Sequence, residues 1–146
     1  MKIKIDIDSK YEEIELHICH NKHNDETRSL FSDLNELFLD NLVAYDDTKS
    51  VMIKPMQIVR IYSANKQVYI STEEKTYRIK ERLYELEELL PAKHFVRISN
   101  SEIVNINKII RLDTSLAGTI LMYLKGDIQT YVSRRNVSRI KKALGI

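Results

Sequence analysis

The strongest constraint on the fold of this chain is a succession of short apolar segments between residues 50 and 133, each about one strand long and each closed by polar or turn-forming residues. They are Ser50–Ile53, Gln57–Tyr62, Gln67–Ser71, Thr76–Ile79, Val96–Ser99, Ile103–Ile106, Ile109–Leu112, Thr119–Leu124 and Gln129–Ser133. Segments of this length bounded by turn signals read as strands. Glu73-Glu74-Lys75 looks like a hairpin connection, and Gly118 and Lys125-Gly126-Asp127 mark turns between the later strands. Two helices interrupt the pattern. Leu83, Leu86, Leu89 and Leu90 share one side of a short helix stopped by Pro91. Val137, Ile140 and Leu144 form the apolar face of a last helix, with Ser133 as its cap and Gly145 as its stop.

The first third follows a different rhythm. Ile3, Ile5 and Ile7 alternate with Lys4 and Asp6, and Ile14, Leu16 and Ile18 repeat the alternation, so residues 2–7 and 13–19 are predicted to be half-buried strands. From Asp25 the spacing of Leu30, Phe31, Leu34, Leu37, Phe38 and Leu42 becomes helical, with Asp25 or Thr27 as cap. The expected organisation is therefore a β-β-α extension over 1–49 and a mainly β domain over 50–146, α+β overall, with Asp46–Ser50 as the boundary. At 146 residues the chain is long enough to bury a core without a disulfide or metal staple. The lone Cys19 excludes a disulfide framework, and a reducing, cytoplasmic compartment is its simplest reading. No apolar run reaches the roughly 20 residues of a membrane-spanning helix.

The net charge of +2 hides a strong asymmetry. Residues 1–54 carry 7 Lys or Arg against 12 Asp or Glu, whereas residues 93–146 carry 10 against 3. Either the basic C-terminal third meets a polyanion, or the two ends complement each other within the fold. Catalytic signatures are missing: there is no Gly-rich phosphate loop and no Gly-x-Ser-x-Gly elbow. Asp6 with Asp8 and Glu13 with Glu15 project opposite the isoleucines and read as a solvated face. His17, Cys19, His20 and His23 have the donor chemistry for zinc, but strand geometry splits them between two faces. Surface histidines at a strand edge are the better reading, and no metal or cofactor is called for.

The informative stretch is residues 95–110, where Phe95, Val96, Ile98, Ile103, Val104, Ile106 and Ile109 are interleaved with Arg97, Ser99, Asn100, Ser101, Asn105, Asn107 and Lys108. Amides and hydroxyls beside positive charge, without a catalytic acid or base, suit nucleic acid. Asn reads an adenine edge through two groups, Arg does the same for guanine, and Ser and Lys hold phosphates. Asn and Ser as simple turn-formers are the competing explanation. A second cluster of the same chemistry, Ser133-Arg134-Arg135-Asn136, opens the last helix.

At these residues the chain resembles the LytTR-type DNA-binding domain of bacterial transcriptional regulators. The resemblance rests on Phe95, Arg97, Ser101, Val104-Asn105 and Ile109, then Val132-Ser133-Arg134-Arg135-Asn136-Val137. Upstream it includes Met56-Gln57-Ile58-Val59-Arg60-Ile61-Tyr62-Ser63, Arg78-Ile79-Lys80 and Leu83-Tyr84-Glu85-Leu86, and it covers about residues 50–146. It implies a mostly-β domain that enters major grooves of double-stranded DNA through loops. By position it implies base contacts at Asn100 and Arg135, with a first-loop contact from Asn65, Lys66 or Gln67. Arg97, Ser99, Ser101, Lys108 and Arg134 become phosphate or positioning groups, and Asn105 a structural amide. Ser99 stands where His is common, and Glu102 where an aromatic is common. An acid there repels phosphate unless it points away or accepts from a cytosine amino group.

Many relatives carry a receiver domain ahead of this one. Residues 1–49 are too short for it, so a standalone regulator is expected and Asp6 and Asp8 are not a phosphorylation pocket. The helix near 26–43 either packs on its own two strands or forms a homodimer suited to repeated half-sites. The alternative function is a protein-interaction module whose DNA binding is weak or masked by the acidic third.

Overall fold

The computed structural model describes residues 2–146. Its elements in chain order are α1 (Asp25–Phe38), β1 (Leu42–Asp46), β2 (Lys49–Ile53), β3 (Arg60–Ala64), β4 (Gln67–Ser71), β5 (Thr76–Ile79), α2 (Leu83–Leu89), β6 (Phe95–Ser99), β7 (Glu102–Asn105), β8 (Ile109–Asp113), β9 (Ile120–Leu124), β10 (Ile128–Val132) and α3 (Val137–Leu144). Short 3-10 turns occupy Pro55–Gln57, Ile106–Lys108 and Arg134–Asn136. The mainly β, α+β class expected from the apolar rhythm is the class observed. All pairings are antiparallel, in a seven-stranded sheet ordered β2-β1-β5-β4-β3-β7-β6 and a three-stranded sheet ordered β10-β9-β8.

The core is split by the large sheet. On one face Leu83, Leu86 and Leu90 of the α2 segment pack on Ile61, Val68, Ile70, Ile79, Phe95 and Ile103. On the other face Val59, Val96, Ile98 and Val104 meet Ile120, Met122, Leu124 and Val132 of the small sheet and Ile140 of α3. Strands buried on both faces lose the alternation of a one-sided sheet, which is why Phe95-Val96 in β6 and Ile103-Val104 in β7 are consecutive apolars, one to each core. The α3 stop is as expected, with Gly145 in the left-handed conformation at φ 70°.

The first third departs from its pattern. Residues 2–24 contain no strand, so the two period-two segments at 2–7 and 13–19 remain unpaired and their isoleucines exposed. Alternation makes a segment suited to a sheet, but a strand exists only where another offers hydrogen bonds, and none does so here. The helix is capped by Asn24, whose Oδ1 accepts from the Thr27 N–H at 3.0 Å while Thr27 Oγ1 accepts from the Asn24 N–H, so Thr27 completes the cap rather than forming it. It ends at Phe38, not near residue 43. Leu42 and Ala44 are buried in the sheet and Val43 faces out, so tertiary pairing converts the end of the apparent helix into β1. The turn at Asp47–Thr48 joins β1 to β2, and β1 also reaches β5 at Tyr45–Arg78. Ser133 precedes the 3-10 turn instead of capping α3, and its Oγ accepts from Asn136 Nδ2 at 2.6 Å.

Candidate nucleic-acid interface

Three turns meet at one end of the sheets. Asn65 and Lys66, both with left-handed backbone (φ 51° and 62°), form the β3–β4 turn, a conformation that Asn tolerates and that matches the twist of a tight hairpin. The β6–β7 turn, Asn100–Ser101, lies beside it because β3 and β7 are neighbours, and the Ser63 N–H donates to the Ser101 carbonyl at 2.8 Å. The exit of β10 is tied to the same place by the Ser133 N–H donating to the Ile98 carbonyl at 2.9 Å, which delivers Arg134 and Arg135. Arg135 Nη2 donates to Asn100 Oδ1 across this junction. Asn65, Lys66, Gln67, Asn100, Ser101, Arg134 and Arg135 are therefore gathered on one rim. Asn65, Lys66, Gln67, Arg134 and Arg135 are exposed.

Beneath the rim, Arg97 is committed to holding the turn. Arg97 is only 18% exposed. Its Nε donates to the Ser99 carbonyl at 2.7 Å, its Nη2 to the Asn100 carbonyl at 2.5 Å and its Nη1 to Glu87 of α2 at 2.9 Å. Glu87 also accepts from Arg139 of α3 at 3.2 Å, so one carboxylate ties two helices to the turn. Ser99 Oγ accepts from the Ser101 N–H at 3.2 Å. Lys108 lies elsewhere. It sits at the opposite end of the sheets, where its Nζ donates to Glu73 at 2.7 Å and its side chain is 18% exposed. That hydrogen bond holds the Glu73 carboxyl below its ordinary range.

Glu102 points away from the rim. It lies between the sheets, where Oε1 accepts from Arg60 Nη1 at 3.0 Å and Oε2 from the Thr130 hydroxyl at 2.6 Å. An inward acid joined to an inward arginine adds no repulsion at the surface, which removes the electrostatic objection to its place beside the turn. Sequence reasoning missed this role. The available signal was a pair of opposite charges, Arg60 and Glu102, each directly beside apolar strand residues. Glu87 had no such signal, since an acid on the polar face of a helix reads as solvated. Asn105 is buried and structural: its Nδ2 donates to the Ile58 carbonyl at 2.9 Å and its Oδ1 accepts from the Asn107 N–H at 3.0 Å.

Among the described residues no group of three or more His, Cys, Asp or Glu side chains is placed to hold a metal ion, and no helix is long and apolar enough to cross a membrane.

The sequence pattern of the LytTr DNA-binding domain matches residues 48–145. A relative in Staphylococcus aureus (strain MSSA476), named as an HTH-type transcriptional regulator, is 39% identical over 147 residues, covering 100% of this chain and 99% of the relative. A similarly named relative in Staphylococcus aureus (strain NCTC 8325 / PS 47) is 38% identical with the same coverage. The solved LytTr DNA-binding domain of a Bacillus cereus regulator superposes with a TM-score of 0.70 at 26% identity, covering 73% of this chain and 98% of that one. The HTH-type name does not describe the architecture seen here, because among the described residues strands separate each α-helix from the next. The chain belongs to the LytTr DNA-binding domain family and is a DNA-binding transcriptional regulator.

Proposed function

We propose that this regulator reads DNA with the three-turn rim. Asn100 and Arg135 address base edges in the major groove, the Asn65-Lys66-Gln67 turn supplies a neighbouring base contact, and Arg134 with Ser99 and Ser101 holds phosphates. Arg97 acts from beneath as a positioning group, and Lys108 stands apart from the interface. The observation that carries this reading is the Arg135–Asn100 hydrogen bond, which joins the two polar-basic clusters into one surface. That bond uses one guanidinium nitrogen and leaves the other N–H groups of Arg135 and the Nδ2 of Asn100 to face a base. Lys66, Arg134 and Arg135 add affinity through counterion release. Two copies together address repeated half-sites, the second engagement being favoured by high local concentration.

The test is selection of bound sequences from a random duplex pool at about physiological salt, followed by Arg135→Ala and Asn100→Ala on the enriched site. Each substitution is expected to cost about 1–3 kcal/mol there and much less on random duplex. Equal losses on both DNAs would reduce these residues to phosphate contacts, and a pool with no enriched sequence would overturn base reading at this rim.

A further inference from the structure

The segment Lys2-Ile3-Lys4-Ile5-Asp6-Ile7-Asp8 is unpaired in the fold, and Ile3, Ile5 and Ile7 are 85%, 80% and 92% exposed. Their alternation with charged residues places all three isoleucines on one side when the segment is extended, and such an exposed apolar row is not a normal solvated surface. We propose that residues 2–8 of two copies of this chain pair as antiparallel strands about a twofold axis through Ile5. The inference deepens the two-copy reading above and rests on it.

The charge order selects this partner. In an antiparallel pair centred on Ile5, Lys2 lies opposite Asp8, Lys4 opposite Asp6, Ile3 opposite Ile7 and Ile5 opposite itself. Directly opposed residues share a face of the ribbon, so all the isoleucines gather on one side and every lysine meets an aspartate on the other. A twofold axis produces each of these pairs twice, as an isologous interface requires.

The same order disfavours closure within one chain. The chain does turn after this segment, with the Tyr11 N–H donating to the Asp8 carbonyl at 3.2 Å and the Lys10 N–H to Asp8 Oδ1 at 3.0 Å. An intrachain hairpin that matched all three isoleucines, to Ile18, Leu16 and Ile14, would set Asp6 against Glu15 and Asp8 against Glu13. Like charges directly opposite each other destabilise a pair of strands, and the two arms stand unpaired in the structure. A two-stranded ribbon is marginal in water without cover. Exposed Ile14 and Leu16, and Phe31, Leu37 and Phe38 of α1, are further apolar surface that each chain brings to such a pair.

The experiment is sedimentation of the full chain over a concentration series, with Lys2→Asp/Lys4→Asp and Asp6→Lys/Asp8→Lys as paired charge reversals. No residue of 2–24 belongs to either core cluster, so both variants are expected to melt like the wild type. The wild type is expected to dimerise, each variant to dimerise about tenfold more weakly or worse, and an equimolar mixture of the two to restore the dimer. In a Cys19→Ser background, Ile5→Cys is expected to form a covalent dimer under mild oxidation. Ile3→Cys is expected to do so only when mixed with Ile7→Cys. A dimer indifferent to both reversals, or a mixture that does not recover, would overturn arm pairing while leaving two-copy action in place. A monomeric wild type that selects a single half-site would overturn both.

Discussion

Removing the Glu102 carboxylate tests whether an ion pair between the sheets fixes the rim. The side chains of Glu102 and Arg60 are 11% and 24% exposed. Glu102→Ala removes the 3.0 Å bond from Arg60 and the 2.6 Å bond from Thr130 together. Hydrogen bonds to a charged group contribute about 1.5–3 kcal/mol each, and stranding one member of a fully buried pair costs about 3–5 kcal/mol. Arg60 keeps some access to water and stays over the Tyr62 ring, 4.4 Å from its centroid, so the expected loss is lower, about 2–4 kcal/mol. Glu102→Gln keeps the volume and one acceptor oxygen but not the charge, and about 1–2 kcal/mol is expected. Urea unfolding provides the assay: the midpoints fall in that order at constant slope, because the surface exposed on unfolding is unchanged. A cycle with Thr130→Val is expected to show a coupling of about 0.5–3 kcal/mol. Because Glu102 follows the Asn100–Ser101 turn directly, Glu102→Ala is also expected to weaken binding to the selected site more than to random duplex. Both single variants within about 0.5 kcal/mol of the wild type would refute the claim that this pair couples the sheets.

Arg97→Ala, which frees the Ser99 and Asn100 carbonyls and the Glu87 carboxylate, is expected to destabilise by about 1–3 kcal/mol in denaturant and to weaken the selected site even where the protein is fully folded. Lys108→Ala is expected to leave DNA affinity and its salt dependence unchanged in a titration, since the residue lies at the far end of the sheets and is engaged by Glu73. The docking of α1 is expected to loosen in acid. The hydrogen bond from Lys93 to Glu36, at 2.5 Å, holds that carboxyl below its ordinary value of 4.5. A carboxyl lowered by folding stabilises the folded form above its unfolded pKa and ceases to as pH falls through the lower, folded one. Amide exchange in α1 is therefore expected to be steady from neutral pH to about 5 and to rise relative to the sheets below about 4.5, with Glu36→Gln flattening the difference.

Much of the fold is local and was legible as such. Period-two runs closed by Asn65-Lys66, Glu73-Glu74-Lys75 and Gly126-Asp127 signal hairpins through their own turn chemistry, and Leu83, Leu86 and Leu90 make a helix with one apolar side. The polar-basic clusters at 97–101 and 133–136 announced themselves by composition, because a core does not need that many amides and cations. What the sequence could not contain was the identity of distant partners. Leu42 has the spacing of a helix and the burial of a strand, and only the neighbouring β2 and β5 decide between them. Residues 2–18 have the alternation of strands but no neighbour in the fold, so they form none. Arg97 and Lys108 look alike in the sequence, yet Glu87 turns the first into a brace under the rim and Glu73 anchors the second at the other end. Periodicity fixes which way a side chain faces within its own element. Its partner is set by which elements the packed sheets bring together, and for long charged side chains that choice decides between scaffold and contact.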